Sequence, residues 1–291
     1  MNAFDTRGLE TAQALAAHPF ADTLAPLPTA RRNARRLGRG DPVRFGWLLG
    51  PFLLLLAWAT GSAAGLIDSR ILPSPWATVA TAGDLIADGR LQANLAISAL
   101  RAAEGFVWGV AAGVLVALVA GLSQLGDYAL DGLVQIKRSI PTLALIPLLI
   151  LWFGIGETMK VTVIAISVFI PIYIQTHTAL RGIDIKHLEL AETLGLSRWK
   201  FVRFVVLPGA LPGLMTGLRF GVMSAWLALV VVEQINASSG IGYMINLART
   251  YAQTDVILVG LVVYAALGLT SDAAVRLVEA RVLAWRRTIG R

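Results

Sequence analysis

The chain has 291 residues, 56% hydrophobic and 15% charged, with a mean hydropathy of +0.68. Soluble domains carry about a quarter charged residues, so composition excludes a soluble globular protein and predicts a single integral membrane domain. The absence of Cys excludes a disulfide scaffold and any Cys-based metal or redox site, and the net charge of +7 is a matter of topology rather than of nucleic-acid binding.

Residues 1–44 are rich in Ala, Pro and Arg without a stable period, and Arg31, Arg32, Arg35, Arg36 and Arg39 form a basic cluster. They are expected to form a disordered cytoplasmic tail, or a surface helix drawn to anionic lipid. The first apolar run starts too late and is too long for a signal peptide. Phe45 to Ile67 is uncharged for 23 residues, enough to cross a core of about 30 Å. Leu72-Pro73-Ser74-Pro75 then breaks the chain, and Trp76 to Arg90 predicts a short amphipathic surface helix. Gly105 to Gly126, uncharged for 22 residues, predicts the second span, begun near Ala96. Its Gly105, Gly109, Gly113, Ala117 and Gly121 recur every fourth residue, which lets another helix approach closely. Ser139 to Gly156 predicts a short third span with Pro141 and Pro147. Val161 to Leu180 predicts the fourth, kinked at Pro171.

A charged island, Asp184 to Pro212, follows within the loop 181–210. Asp184 suits a helix N-cap, and Leu188, Ala191 and Leu194 predict one apolar stripe with Ala191 on an exposed seam. Gly195 suits a left-handed C′ position. Ser197 suits the N-cap of a second helix, which Pro208 is expected to close. Helix, Gly turn, helix is a shape that can plug a groove on another protein; the alternative is an amphipathic element lying on the membrane. Leu211 to Val232 predicts the fifth span, with a second small-residue row at Gly209, Gly213, Gly217 and Gly221. Val256 to Ser271, with 16 uncharged residues, predicts the sixth with help from its flanks. The expected fold is all-α and polytopic: six spans over 45–275, then a basic cytoplasmic C-terminus, 276–291.

Lys and Arg set the orientation. Seven lie in the tail, two between spans two and three, five in the 181–210 loop and five from Arg276 onward, nineteen on one side. Arg70, Arg90, Arg101, Lys160 and Arg249 are the five on the other, and Arg219 sits inside span five. Both termini and the island are therefore expected in the cytoplasm.

No Gly-x-x-x-x-Gly-Lys-Ser/Thr phosphate loop occurs, so any pumping draws on another subunit's ATP. No His/Asp/Glu cluster has metal spacing, and His18, His177 and His187 read as structural. Intramembrane charges are functional candidates. Arg219 either lines a translocation path for an anion, snorkels, or pairs with a carboxylate. Glu233, at the outer end of span five, is a path or gating candidate of the wrong sign to bind an anion. Glu104 is expected to pair with Arg101 or with a neighbouring helix. Asn236 to Gly242 either offers N–H groups to an anion or is a turn before a short re-entrant helix.

Glu189-Leu190-Ala191, three residues, Gly195, nine residues, Val205, one residue, Leu207-Pro208 resembles the cytoplasmic Glu-Ala-Ala loop of ABC-importer permeases, with Leu190 and Val205 as mild departures. Leu72–Pro75, Pro141–Glu157 and Asn236–Ile245 resemble the nitrate, taurine and aliphatic-sulfonate branch, and the likeness covers about residues 70 to 285. The resemblance implies a type I importer permease without catalytic residues or cofactor. It implies ATPase coupling through Glu189, Ala191, Gly195, Leu207 and Pro208. It also implies three partners: cytoplasmic ABC ATPase subunits, an extracytoplasmic substrate-binding protein and a second permease copy. The alternatives are a stand-alone secondary transporter or channel for a small anion, which would need mid-span coupling carboxylates, and a membrane scaffold that recruits a cytoplasmic enzyme.

Overall fold

The structure is a computed structural model that describes residues 46–285, and every regular element among them is helical. The chain divides into two units within the first helix, between Leu55 and Leu56. In the first unit, a 3-10 turn (Gly46–Leu48) leads into α1 (Leu49–Ala63), and Leu49, Phe52, Leu53, Leu54 and Leu55 are exposed. At 15 residues α1 is shorter than the 23-residue run that predicted it, because Gly65 turns with positive φ just past its end. The expected tail, 1–44, lies outside the described residues.

The second unit holds the core. The Trp58 indole donates to the Pro73 carbonyl at 3.1 Å, and Ser74 caps α2 (Pro75–Ala87), with Pro75 at its first turn. The second span, α3, runs Arg90–Leu122, 33 residues; it starts earlier than expected because the left-handed Gly89 ends α2 and launches it directly. The third expected span is a bent pair: α4 (Gln124–Ser139), then a 3-10 turn (Thr142–Leu145) and α5 (Ile146–Phe153), meeting at 90°. Pro141 sits at the break, where it can neither donate a helical bond nor let Ile140 stay α-helical. The fourth span, α6, is Glu157–Arg181. Next comes α7 (Ile185–Thr193), then α8 (Arg198–Phe201) and a π-helical turn (Val202–Val206). These lead into α9 (Leu207–Asn236), short α10 (Ile241–Thr250) and α11 (Thr254–Val282). Four helical stretches are long and apolar enough to cross a membrane, or five with the bent pair. The expected six is therefore not reached among the described residues: the first expected span is a 15-residue helix, too short for the count, and the third is bent. Helix α11 passes residue 275, so Arg276 and Arg281 extend a helix rather than begin a tail.

Both glycine rows face α6. A Cβ on Gly109 would sit 2.6 Å from both the Ala165 carbonyl oxygen and Val168 Cβ, and one on Gly113 2.8 Å from Ile172 Cβ. From the other side, a Cβ on Gly213 would collide with Ala179, and one on Gly217 would lie 3.3 Å from Ile172 Cα. Helix α6 is thus clasped between α3 and α9. Without a hydrophobic drive between helices in lipid, this close packing is what holds them. Val163, Ile164, Val168, Ile172, Leu229 and Val232 are fully buried in that seam.

A matched pair of substitutions tests the clasp. Gly109→Ala must push α6 away and is expected to cost about 1–3 kcal/mol, lowering the unfolding midpoint in detergent. Gly83→Ala, whose Cβ would meet nothing within 4 Å, is expected to leave the midpoint unchanged or raise it.

Candidate functional site: a coupling loop and a buried charge network

The loop begins with Asp184, whose carboxylate accepts from Lys186 N at 3.0 Å and caps α7. At the other end, Leu196 N donates to Ala191 O at 2.9 Å and Gly195 N to Glu192 O at 3.0 Å. This is the paired bonding of a Schellman cap, with Gly195 at φ +64°. Nothing lies within 4 Å of the position a Gly195 Cβ would take, so the turn faces open space. Ser197 caps α8 through Lys200 N.

Two expectations are corrected here. Pro208 does not close the second helix: Leu207 N reaches back to Val202 O across the π-turn, and α8 runs on into α9. Pro208 falls two residues past the π-turn, inside one continuous helical run. Ala191 is not on an exposed seam; it is buried at 4% exposure and lines a cavity of about 680 Å³ with Leu122, Leu180, Leu196, Phe201 and Val206. Arg198 fixes the loop to the end of α3 by donating to the Leu122 carbonyl at 3.2 Å, a favourable place for a cation. Glu189 is exposed, and Ile185, Leu190, Leu194 and Trp199 are exposed beside it at 58–68%. Such an apolar surface among charges marks an interaction site.

At the other end of α9, Glu233 is 1% exposed. Its carboxylate accepts from Ser98 Oγ and Arg101 Nη1 on α3, at 2.8 and 2.7 Å. It also accepts from Gly242 N on α10 at 2.9 Å and from Tyr264 on α11 at 3.0 Å. Arg101 makes a two-bond fork to Glu157 on α6, at 2.5 and 2.7 Å, and donates to the Ser239 carbonyl. Lys160 joins through Glu157 at 2.8 Å. Arg101 therefore pairs with Glu157 and Glu233, not with Glu104. Three successive N–H groups at the start of α10 are engaged by side chains: Gly240 N by Asn94, Ile241 N by Ser98, Gly242 N by Glu233. The anion held by the Asn236–Gly242 turn is the chain's own carboxylate.

Arg219 pairs with Asp272 at 3.3 Å, and Arg276 shares that carboxylate at 3.1 Å. Toward the C-terminal end of α6, His177 Nε2 meets Asp127 at 2.9 Å, and Tyr173 donates to Asp131 at 2.9 Å. One His and two Asp could in principle hold a divalent cation. Here Asp127 also meets Arg181 at 3.4 Å, so these donors already serve as a clamp between α4 and α6. Chain spacing hid this cluster, since its members lie 50 residues apart.

Residues 109–284 match the family described as "Binding-protein-dependent transport system inner membrane component". The chain belongs to that family. Relatives of this permease include two proteins named "Putative aliphatic sulfonates transport permease protein SsuC". The one from Bacillus subtilis (strain 168) is 38% identical over 92% of this chain and 98% of its own. The one from Escherichia coli (strain K12) is 44% identical over 82% and 90%. The "Taurine transport system permease protein TauC" of E. coli is 34% identical over 80% and 86%. The fold is similar to a chain of "Crystal structure of an amino acid ABC transporter with histidines", with TM-score 0.56 and 19% identity over 65% of this chain and 92% of that one. The permease is thus a multi-pass inner-membrane transport subunit, not an enzyme, and works with a separate ATPase and a substrate-binding protein. The stand-alone transporter and scaffold alternatives fall away.

Removing Arg101 strands Glu233 as an unpaired buried charge, a loss of about 3–5 kcal/mol. Arg101→Ala is expected to lower the unfolding midpoint in detergent sharply. Adding Glu233→Gln to it is expected to restore part of the loss, because no charge is then left unpaired.

Proposed function

We propose that the permease imports aliphatic sulfonates, with taurine or a related small anion such as nitrate as the nearest alternatives. The observation that carries the substrate class is the 38% and 44% identity to the two SsuC-named proteins, against 34% to the taurine-named one. The permease works as a pair of identical copies with two ATPase subunits. Its termini and its 181–210 loop face the cytoplasm, in keeping with the Lys and Arg bias.

ATP binding closes the ATPase pair, and the loop follows. Coupling of this kind requires the loop to contact the two ATPase states differently. Glu189 and the apolar residues beside it make the contact, and the Gly195 cap shapes the turn presented to the cleft. Ala191 seats the loop on the inner ends of α3 and α6. Leu207 and Pro208 begin the helix that carries the motion into the membrane.

The test is uptake. A strain lacking the permease is expected to lose uptake of labelled alkanesulfonate and to regain it from a plasmid-borne copy. Normal alkanesulfonate uptake in the deletion strain, with taurine or nitrate uptake lost, would reassign the substrate. Normal uptake of all three would end the proposal.

A further inference from the structure

Among the described residues, the buried Arg101 and Lys160 and the mid-span Arg219 have carboxylate partners: Arg101 has Glu157 and Glu233, Lys160 has Glu157, and Arg219 has Asp272. Lys137 and Arg138 are different: among the described residues no carboxylate lies within ion-pairing distance of either. They were counted in a cytoplasmic loop on sequence grounds, but the 90° bend between α4 and the Thr142–Phe153 stretch moves them. Asp127, early in α4, meets His177 at the inner end of α6. Lys137, ten residues later, shares a pocket with Ser167 and Pro171, in the middle of α6, and with Ser224, in the middle of α9. Two cations thus stand at mid-depth, where an unpaired charge is costly and marks a path or a ligand.

The pocket measures about 300 Å³, the small end of the range for small-molecule sites. Lys137 Nζ donates to Thr142 Oγ1 at 2.6 Å, which leaves two of its three protons free. Thr142 and Ser224 bring hydroxyls to the same space, while Ser167 lines it with its own hydroxyl donated to the Val163 carbonyl at 2.8 Å, and Leu227 and Ala228 give it an apolar wall. Arg138 stands at the rim, held only by Gln135 at 3.5 Å. An ammonium with a set of hydroxyls matches a monovalent, tetrahedral oxyanion, and the apolar wall matches a short hydrocarbon chain.

We infer that this elbow pocket is the substrate station of the translocation path, where Lys137, with Thr142 and Ser224, binds the sulfonate head of a small organic anion. The inference rests on the importer reading. It replaces Arg219, whose charge is met by Asp272, as the cation that faces the substrate.

The complete importer, with its ATPase and binding protein, is reconstituted in vesicles, and ethanesulfonate uptake is measured against concentration. Lys137→Ala is expected to raise the half-saturating concentration about tenfold or more, as fits loss of a charge-assisted bond, with the ATPase still co-purifying. Lys137→Arg is expected to retain most of the affinity, and Ser224→Ala to weaken it by a smaller factor. No ethanesulfonate uptake by the unaltered complex would overturn the importer reading and this one together. Uptake by the unaltered complex, with Lys137→Ala indistinguishable from it, would overturn the station alone. If Lys137→Ala does not assemble, Ser224→Ala and Thr142→Val decide, and unchanged half-saturation in both overturns the station. Vesicles of phosphatidylcholine, with and without phosphatidylglycerol, separate the substrate from a lipid headgroup. An effect of Lys137→Ala that appears only with the anionic lipid assigns the pocket to lipid and overturns the proposal.

Discussion

Glu233 is a carboxylate that neither water nor lipid solvates, and the half of the permease remote from the 181–210 loop depends on how it is met. A lone buried charge is untenable in such surroundings, so the chain brings it a guanidinium, two hydroxyls and a backbone N–H from three other helices, α3, α10 and α11. The same demand orders the segment after α9. Gly240 takes φ +110°, and any Cβ there would collide with the Glu233 carboxylate. Helix α10 can then point its N-terminus at the charge, an arrangement the helix dipole favours. Arg101 extends the network to Glu157, whose side chain is 60% exposed, so the network reaches from a sealed interior to the surface.

The 184–208 loop and this network lie at opposite ends of one helical run. The stretch Arg198–Ile235 is 38 residues long, or about 57 Å at helical rise, and it passes through the π-turn without a break. A displacement of the loop therefore has a direct mechanical route to Glu233. On the way the run packs against α6 along its glycine row, and α6 is held on its other face by the row on α3. Close backbone contact on both faces favours rigid movement of the clasped helices over deformation of any one of them. The elbow pocket lies between α6 and α9 at the middle of this clasp, where such movement would open or close it.

Much of this was legible in the residues. Four-residue spacing of glycine identified the buried faces of α3 and α9, because residues four apart line up along one face of a helix. Gly195 announced its cap, and the loop spacing announced the family. Continuing the α3 glycine row one step back from Gly105 reaches Arg101, a signal that was present and passed over in favour of counting Arg101 as an outer-side charge. Other features were not legible, for physical reasons. Hydropathy sees two prolines in a short apolar run but not the direction in which the chain leaves Pro141, so the depth of Lys137 was missed. Pro208 reads as a helix stop unless the preceding turn is known to be π-helical. The partners of Arg219 and His177 lie 53 and 50 residues away, and only the fold brings them in.

The central claim is that the 184–208 loop docks on the ATPase and moves with its nucleotide state. The chain's lack of cysteine makes a direct measurement possible: Glu189→Cys is the only thiol in the permease, and it stands on the exposed face of α7. In the assembled complex, a short thiol-reactive cross-linker is expected to join this position to the ATPase subunit, with a yield that changes between the nucleotide-free and ATP-bound states. An intact complex in which Glu189→Cys forms no cross-link to the ATPase in either state would contradict the account.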